Sequence, residues 1–213
     1  MAKNRTDIEA LLAAHNRRFR LEGGGQEFVL KGEDLHGIDL SGADLAGVIL
    51  SEVRLDEANM ASADLYAVFA GGSSFVGADF NGAQIVKADF AAVIARKANF
   101  TDANLMRTGF FEADLRGARF DRTTLTKTSF HLADLRGCSF QGARFDRTSF
   151  HDATFGELDA AGASGTILPG PASVETPDGL HSANQDEVLA YLRAAGAEVS
   201  FWLPPTAPIR SDP

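Results

Sequence analysis

Between Leu30 and Phe155 a large apolar residue recurs at every fifth position, and the register never slips. Leu, Phe, Ile or Met fills 24 of the 26 centres, the exceptions being Ala70 and Ala95. Two places before each centre the residue is small. From Ala43 to Ala153 all 23 such positions hold Ala, Val, Thr, Ser or Cys, and 13 of them are Ala. Between the small and the large residue stands a polar one, often Asp or Asn, as in Ala43-Asp44-Leu45, Ala98-Asn99-Phe100 and Ala133-Asp134-Leu135. Glycine often closes the unit, as at Gly37, Gly77 and Gly117.

Neither regular backbone can use this period. On an α-helix a five-residue step turns about 500°, so successive centres would scatter around the axis. On one continuous strand, residues five apart fall on opposite faces. Within a unit, however, the small and large residues are two apart and share one face of a short strand. The other three residues must then carry the chain round a corner before the next pair points inward. A chain that turns a corner every five residues coils into an all-β solenoid, with the centres along its axis. Neighbouring coils stack at the strand spacing of about 4.8 Å and satisfy one another's backbone groups.

The run from residue 28 to 157 resembles the pentapeptide-repeat family, whose A(D/N)LXX units build a right-handed quadrilateral β-helix. The resemblance implies four units, or 20 residues, per coil. Twenty-six units would then give about six and a half coils, a rod roughly 30 Å long at the strand spacing. It also places the unusual content of 16 Phe, of which 11 are centres concentrated after residue 75, where they would stack as ladders along the axis. Ala70 and Ala95 leave room at the axis. With Phe69 before the first and Gly71-Gly72 after it, a local irregularity such as a bulge is expected there, in preference to a ligand cavity.

An open solenoid end exposes strand edges and core, so capping helices are expected at both ends. Residues 1–27 read as the N-terminal cap. Thr6 and Glu9 form a capping-box pattern, Ile8, Leu11, Leu12 and Phe19 supply an apolar face, and Gly23-Gly24-Gly25 end the helix. Arg17, Arg18 and Arg20 read as its solvated face. Residues 158–203 read as a proline-containing linker (Pro169, Pro171, Pro177) leading to a helix over 185–195, then the apolar stretch Val199 to Leu203. Val188, Leu189, Leu192, Phe201 and Trp202 are expected either to cap the last coil or to form a homodimer contact. The motif Gln185-x-x-x-Leu189-x-x-Leu192, leading to Gly196 and Val199, is similar to the dimerising segment of gyrase-protecting members of the family. Residues 204–213 read as a disordered, proline-rich tail.

Charge adds a polarity. The chain has 29 acidic and 20 basic residues, a net of −9. Residues 28–85 hold nine acidic and two basic residues, whereas 86–157 hold nine and 11. Folded at 20 residues per coil, Lys87, Arg107, Lys127 and Arg147 fall in one column and Arg96, Arg116 and Arg136 in another. Like charges stacked at strand spacing repel, which marks these columns as a candidate ligand surface; the alternative is that the charges splay into water and are offset by neighbouring acids. The acidic balance speaks against direct nucleic-acid binding by phosphate neutralisation. A single Cys, a polar N-terminus and no run of about 18 apolar residues suit a cytoplasmic protein without a membrane segment. No catalytic constellation, cofactor fingerprint or metal site is expected. His131 and His151 would stack beneath Phe111, but no Cys or carboxylate repeats alongside them. Cys138 occupies a small-residue position and is expected to be buried and inert.

Two functions follow. Family members of the Qnr type, the mycobacterial fluoroquinolone-resistance group and the self-immunity proteins of topoisomerase-poison producers bind DNA gyrase or topoisomerase IV. That resemblance implies a non-catalytic, dimeric, DNA-mimicking rod that protects a type II topoisomerase from a poison. Asp34, Asp39, Asp44, Asp64 and Asp79 would stand for phosphates, and Arg96, Arg116 and Arg136 would form a second contact. The unbroken register leaves no room for the protruding loops of several Qnr-type members. The alternative is a generic scaffold or interaction module with another protein partner, since fold does not dictate function.

Overall fold

A computed structural model describes residues 28–203 together with Ile8 and Ala10. The chain winds into the right-handed quadrilateral β-helix that the repeat implies, of about seven turns. Most strand contact is a single parallel bridge per face per coil, always between residues 20 apart, from Asp34↔Arg54 through Ser139↔Asp159. Longer pairings occur where neighbouring units straighten: β1 (Val29–Lys31) on β2 (Ile49–Ser51), and β3 (Thr124–Thr126) on β4 (Arg144–Thr148).

The corners explain the spacing. At Leu35 the carbonyl accepts from the Ile38 N–H at 3.1 Å, and Gly37, third in that turn, has φ of +65°. Positive φ at the third position is what a type II turn needs, and glycine takes it without penalty. Among the described residues sixteen non-glycine residues adopt the same conformation, Glu57, Lys97, Arg122 and Leu132 included. Each costs roughly 1–2 kcal/mol against an ordinary backbone. They persist because the flanking ladder bonds fix the corner from the coils above and below.

The core is the stack of centres. All 26 are buried, Ala70 and Ala95 included. Phenylalanine occupies two of the four faces in strict succession. Phe80, Phe100, Phe120 and Phe140 stack with centroids 4.8, 4.9 and 5.0 Å apart and interplanar angles of 3°, 1° and 11°. On another face Phe110, Phe130 and Phe150 repeat at 5.3 and 5.4 Å. The two ladders meet edge to face, as in Phe120–Phe130 at 80°. Stacking within each ladder and T-contacts between them use both favourable aromatic geometries at once.

Inner small positions that carry hydroxyls satisfy them locally: Thr128 donates to the Leu105 carbonyl at 2.7 Å, and Thr148 to Leu125. Cys138 likewise lies buried with its Sγ 3.1 Å from the Leu115 carbonyl, and burial pushes its thiol pKa up, so it is an inert core residue.

The bulge expected around Ala70 does not form. The ladder runs unbroken, with Ala70 N–H to Asp89 carbonyl at 2.7 Å, and Phe69 turns outward over Gly71. Phe90 uses the room instead: it is tilted 54° from Phe110 and stacks on Phe75 at 26°. Among the described residues the pairing shifts register between Phe145 and Thr148.

The linker reading is also corrected. Stacking continues past residue 157: after β5 (Thr154–Phe155), β6 (Ser164–Ile167) extends the solenoid, with Ala160 and Gly165 at centre positions. The proline-flanked segment is a hairpin of β7 (Ala172–Thr176) and β8 (Gly179–Ala183), and β7 pairs with β5. Helix α1 (Gln185–Ala194) follows. Asn184 and Glu187 form its capping box, each accepting from the other's backbone N–H. Strand β9 (Glu198–Phe201) then returns parallel to β6 and closes the end. Of the proposed N-terminal helix, Ile8 and Ala10 are helical and Ile8 is buried in the common core; its remaining residues, like the tail 204–213, lie outside the described residues.

Candidate partner-binding surface

The outward polar residue before each centre has a structural duty that accounts for its identity. Its side-chain oxygen accepts the backbone N–H two residues on, bracing the corner: Asp34 from His36 (3.2 Å), Asp39 from Ser41 (3.0 Å), Asp44 from Ala46 (3.2 Å), Asp64 from Tyr66 (3.0 Å) and Asp79 from Asn81 (3.0 Å). Asn59 and Asn99 do the same at 3.1 and 3.2 Å. A short acceptor of this kind is the Asx motif of turns. One carboxylate oxygen is thus held inward while the charge stays at the surface.

The five candidate aspartates do not share one face. Asp44 and Asp64 are bridge partners on one, and Asp39 and Asp79 flank Asn59 in a column on another. Asp34 lies on a third face, paired with Arg54 at 3.1 Å.

In the arginine column the charges are offset by neighbouring acids. Arg96, Arg116 and Arg136 alternate with Asp114 and Asp134 in a staggered ladder of ion pairs. Arg96 lies 3.7 Å from Asp114, Arg116 lies 2.7 Å from Asp114 and 3.6 Å from Asp134, and Arg136 lies 2.6 Å from Asp134. Arg136 also reaches Glu175 of the hairpin at 3.1 Å, tying the last coils to the cap. Hydrogen bonds from Arg116 hold the Asp114 carboxyl below the usual range against the opposing effect of partial burial, and those to Asp134 raise the Arg136 guanidinium. Elsewhere in this half Arg122 is bidentate on Asp102, and Arg119 contacts Asp121 at 2.9 Å. The repulsion inferred from stacked like charges is therefore offset by carboxylates in the adjacent column. The sequence allows for such neighbouring acids but does not name them, because the partners sit two or 18 apart and not in the 20-residue column.

In the second basic column Lys87 donates to the Tyr66 hydroxyl at 2.8 Å, and Arg147 pairs with Asp146 at 3.0 Å while lying 5.8 Å over the Trp202 ring.

At the C-terminal end, Val188 and Leu192 are 3% and 1% exposed and belong to the chain's own core. They seat α1 on the last coil, so they act as cap residues and not as contacts at a subunit surface. Leu189 and Phe201 pack against that core only in part, and Trp202 is also half-buried. Beside His131 and His151, stacked as expected with centroids 5.3 Å apart, the structure places a carboxylate that the column search did not find, Asp152.

The family models agree with this geometry. "Pentapeptide repeats (8 copies)" matches residues 34–68 and "Pentapeptide repeat region" matches 73–150, together more than half of the chain. The chain belongs to the pentapeptide-repeat family. Two solved structures of trypsin-treated variants of QnrB1, described as a plasmid-mediated fluoroquinolone resistance protein, superpose with TM-scores of 0.60 and 0.57. They are 21% and 19% identical, cover 65% of this chain each, and are themselves covered over 70% and 72% of their length. At that identity the likeness is one of fold. A cyanobacterial pentapeptide-repeat protein, Rfr23 from Cyanothece 51142, aligns at 19% identity and a TM-score of 0.43, covering 61% of this chain and 95% of its own. No curated protein sequence matches the chain. Among the described residues no helix is long and apolar enough to cross a membrane.

Proposed function

We propose that this pentapeptide-repeat chain is a non-catalytic, cytoplasmic DNA mimic that binds DNA gyrase or topoisomerase IV and protects it from a poison. The observation that carries the reading is the uneven distribution of charge along the rod. In residues 86–157 most of the arginines are held by carboxylates of the same rod. Residues 28–85 carry nine acidic residues against two basic ones, and both of these, Lys31 and Arg54, are themselves paired, at 3.8 and 3.1 Å. The N-terminal coils are therefore the more acidic part of the rod, with carboxylates on three of its faces, which suits an enzyme groove built for duplex phosphates. The likeness to QnrB1, a fluoroquinolone resistance protein, supports the same reading.

The test is gyrase supercoiling and cleavage with and without a fluoroquinolone or another poison. Micromolar protein is expected to inhibit supercoiling or to rescue the poisoned enzyme. The combined variant Asp64→Asn, Asp79→Asn is expected to lose at least tenfold of that effect with unchanged thermal stability, because asparagine makes the same corner bond at positions 59 and 99. No effect of the wild-type protein overturns the proposal, and an undiminished effect of the variant overturns the role of these charges.

The reading includes a homodimer joined through the C-terminal segment, where Leu180 of β8 and Leu203 are 59% and 75% exposed beside the half-buried Leu189, Phe201 and Trp202. Sedimentation is expected to return twice the mass of one chain, and Leu180→Asp with Leu203→Asp to return the mass of one. A wild-type monomer at tens of micromolar removes the dimer.

A further inference from the structure

The column of aromatic rings on the outer surface of the last coils has a chemistry that neither the repeat nor the proposed partner explains. Phe111 stacks on His131 at 5.5 Å, and His131 on His151 at 5.3 Å. His131 Nδ1 lies 3.0 Å from the backbone carbonyl of His151. A carbonyl only accepts, so Nδ1 must carry the proton, and in the neutral ring Nε2 is left with its lone pair free. Fixing the tautomer of an imidazole through a backbone carbonyl is the usual outer support of a metal-binding histidine.

The other two groups are placed to join it. His151 Nε2 is 3.2 Å from an Asp152 carboxylate oxygen, and one donor atom of each of His131, His151 and Asp152 lies within 4.8 Å of the others. Zinc bonds of about 2.0–2.2 Å to nitrogen and oxygen put tetrahedral neighbours about 3.4 Å apart. The His151–Asp152 edge is already near that length, and His131 has at most about 1.4 Å to close, which surface side chains can do by rotation. The backbone holds the set in place. Asp152 is at a corner with φ of +54°, and its N–H donates to the Pro171 carbonyl at 2.8 Å. His151 lies against Gly170, where a Cβ would come within 2.6 Å of its Nδ1.

We propose that His131, His151 and Asp152 form a binding site for a zinc-class divalent ion, with two imidazole nitrogens and one carboxylate oxygen as protein ligands. The fourth position is open to water or to a donor from a bound partner. A simple His151–Asp152 ion pair would account for those two residues, but it gives the fixed tautomer of His131 no role. Because His131 and His151 belong to consecutive coils, and Asp152 is bonded to the strand leading into β7, a bound ion would clip the last coils to the cap.

Calorimetric titration of the full chain, stripped with a chelator, with Zn²⁺ is the test. One ion per chain is expected to bind at micromolar affinity or tighter, and to raise the melting temperature. His131→Ala and His151→Ala are each expected to weaken binding at least tenfold and to abolish the thermal shift, whereas His36→Ala and His181→Ala leave both unchanged. Co²⁺ in place of Zn²⁺ is expected to give the visible absorption of a low-coordinate nitrogen–oxygen site, lost in His131→Ala. All the substituted residues are on the surface, and unchanged far-ultraviolet dichroism confirms that each variant is folded. No saturable binding by the wild-type chain overturns the proposal, and so does binding that survives in the His131→Ala, His151→Ala double variant.

Discussion

Replacing Phe120 by alanine is expected to destabilise the solenoid by about 3–5 kcal/mol, the range for removing a fully buried aromatic ring. Phe120 is completely buried, within one ladder and edge to face against the other. Its ring stacks on Phe100 at 4.9 Å and Phe140 at 5.0 Å, and meets Phe130 edge-on at 5.4 Å. The upper end of the range is expected because the site cannot collapse. Coil separation is set by backbone bonds on either side, Phe100 N–H to Arg119 carbonyl and Phe120 N–H to Ser139 carbonyl, both 2.7 Å. The rings above and below therefore cannot close on the gap without breaking the ladder, and the cavity term stays in full. Phe111→Ala is the matched control. That ring is 42% exposed and stacks on His131 outside the coil, so its loss should cost about 0.5 kcal/mol or less. Denaturant unfolding of the two variants checks this. Equal losses would show that the ladders add nothing beyond generic apolar content.

The axis was legible because the constraint on it is one-dimensional. Each centre must fill the same space one coil further on, so the five-residue register appears directly in the sequence and fixes the coil, the ladders and the buried position of Cys138. What was not legible involves partners that the register does not align. The Arg96–Asp114–Arg116–Asp134–Arg136 ladder runs between two columns, so reading either column alone gives repulsion where the fold has attraction. Asp152 was missed for the same reason, being a sequence neighbour of His151 and not a column mate. Val188 and Leu192 are apolar on one helix side, which serves a cap and a dimer equally. Only their burial against the last coil separates the two uses. The corners were half legible: glycine marks some, but Glu57, Lys97 and Arg122 take the same left-handed backbone because the neighbouring coils hold it there.

Beyond residue 157 the register persists but its side chains shrink, and there a single methyl group should matter most. Gly165 occupies the centre position above Phe145, inside β6 and between β4 and β9. Its φ of +120° is open only to glycine, and a Cβ built there overlaps the Phe145 carbonyl oxygen. Gly165→Ala must therefore push β6 off β4, and β9 and α1 depend on β6 for their seat on the rod. We expect a loss of about 3 kcal/mol or more, from backbone strain of about 1–3 kcal/mol with the displaced pairing added. Amide exchange in β6, β9 and α1 should accelerate while the ladder around Phe120 keeps its protection, since each coil depends chiefly on its neighbours. Gly162→Ala separates overlap from backbone preference. Gly162 also has positive φ, +71°, but the nearest atoms to its missing Cβ are those of Gly142 at 4.0 Å. It should cost only the left-handed penalty of about 1 kcal/mol, with the cap undisturbed. If Gly165→Ala behaves like Gly162→Ala, then β6 is free to move and the C-terminal cap is not locked to the solenoid through this glycine.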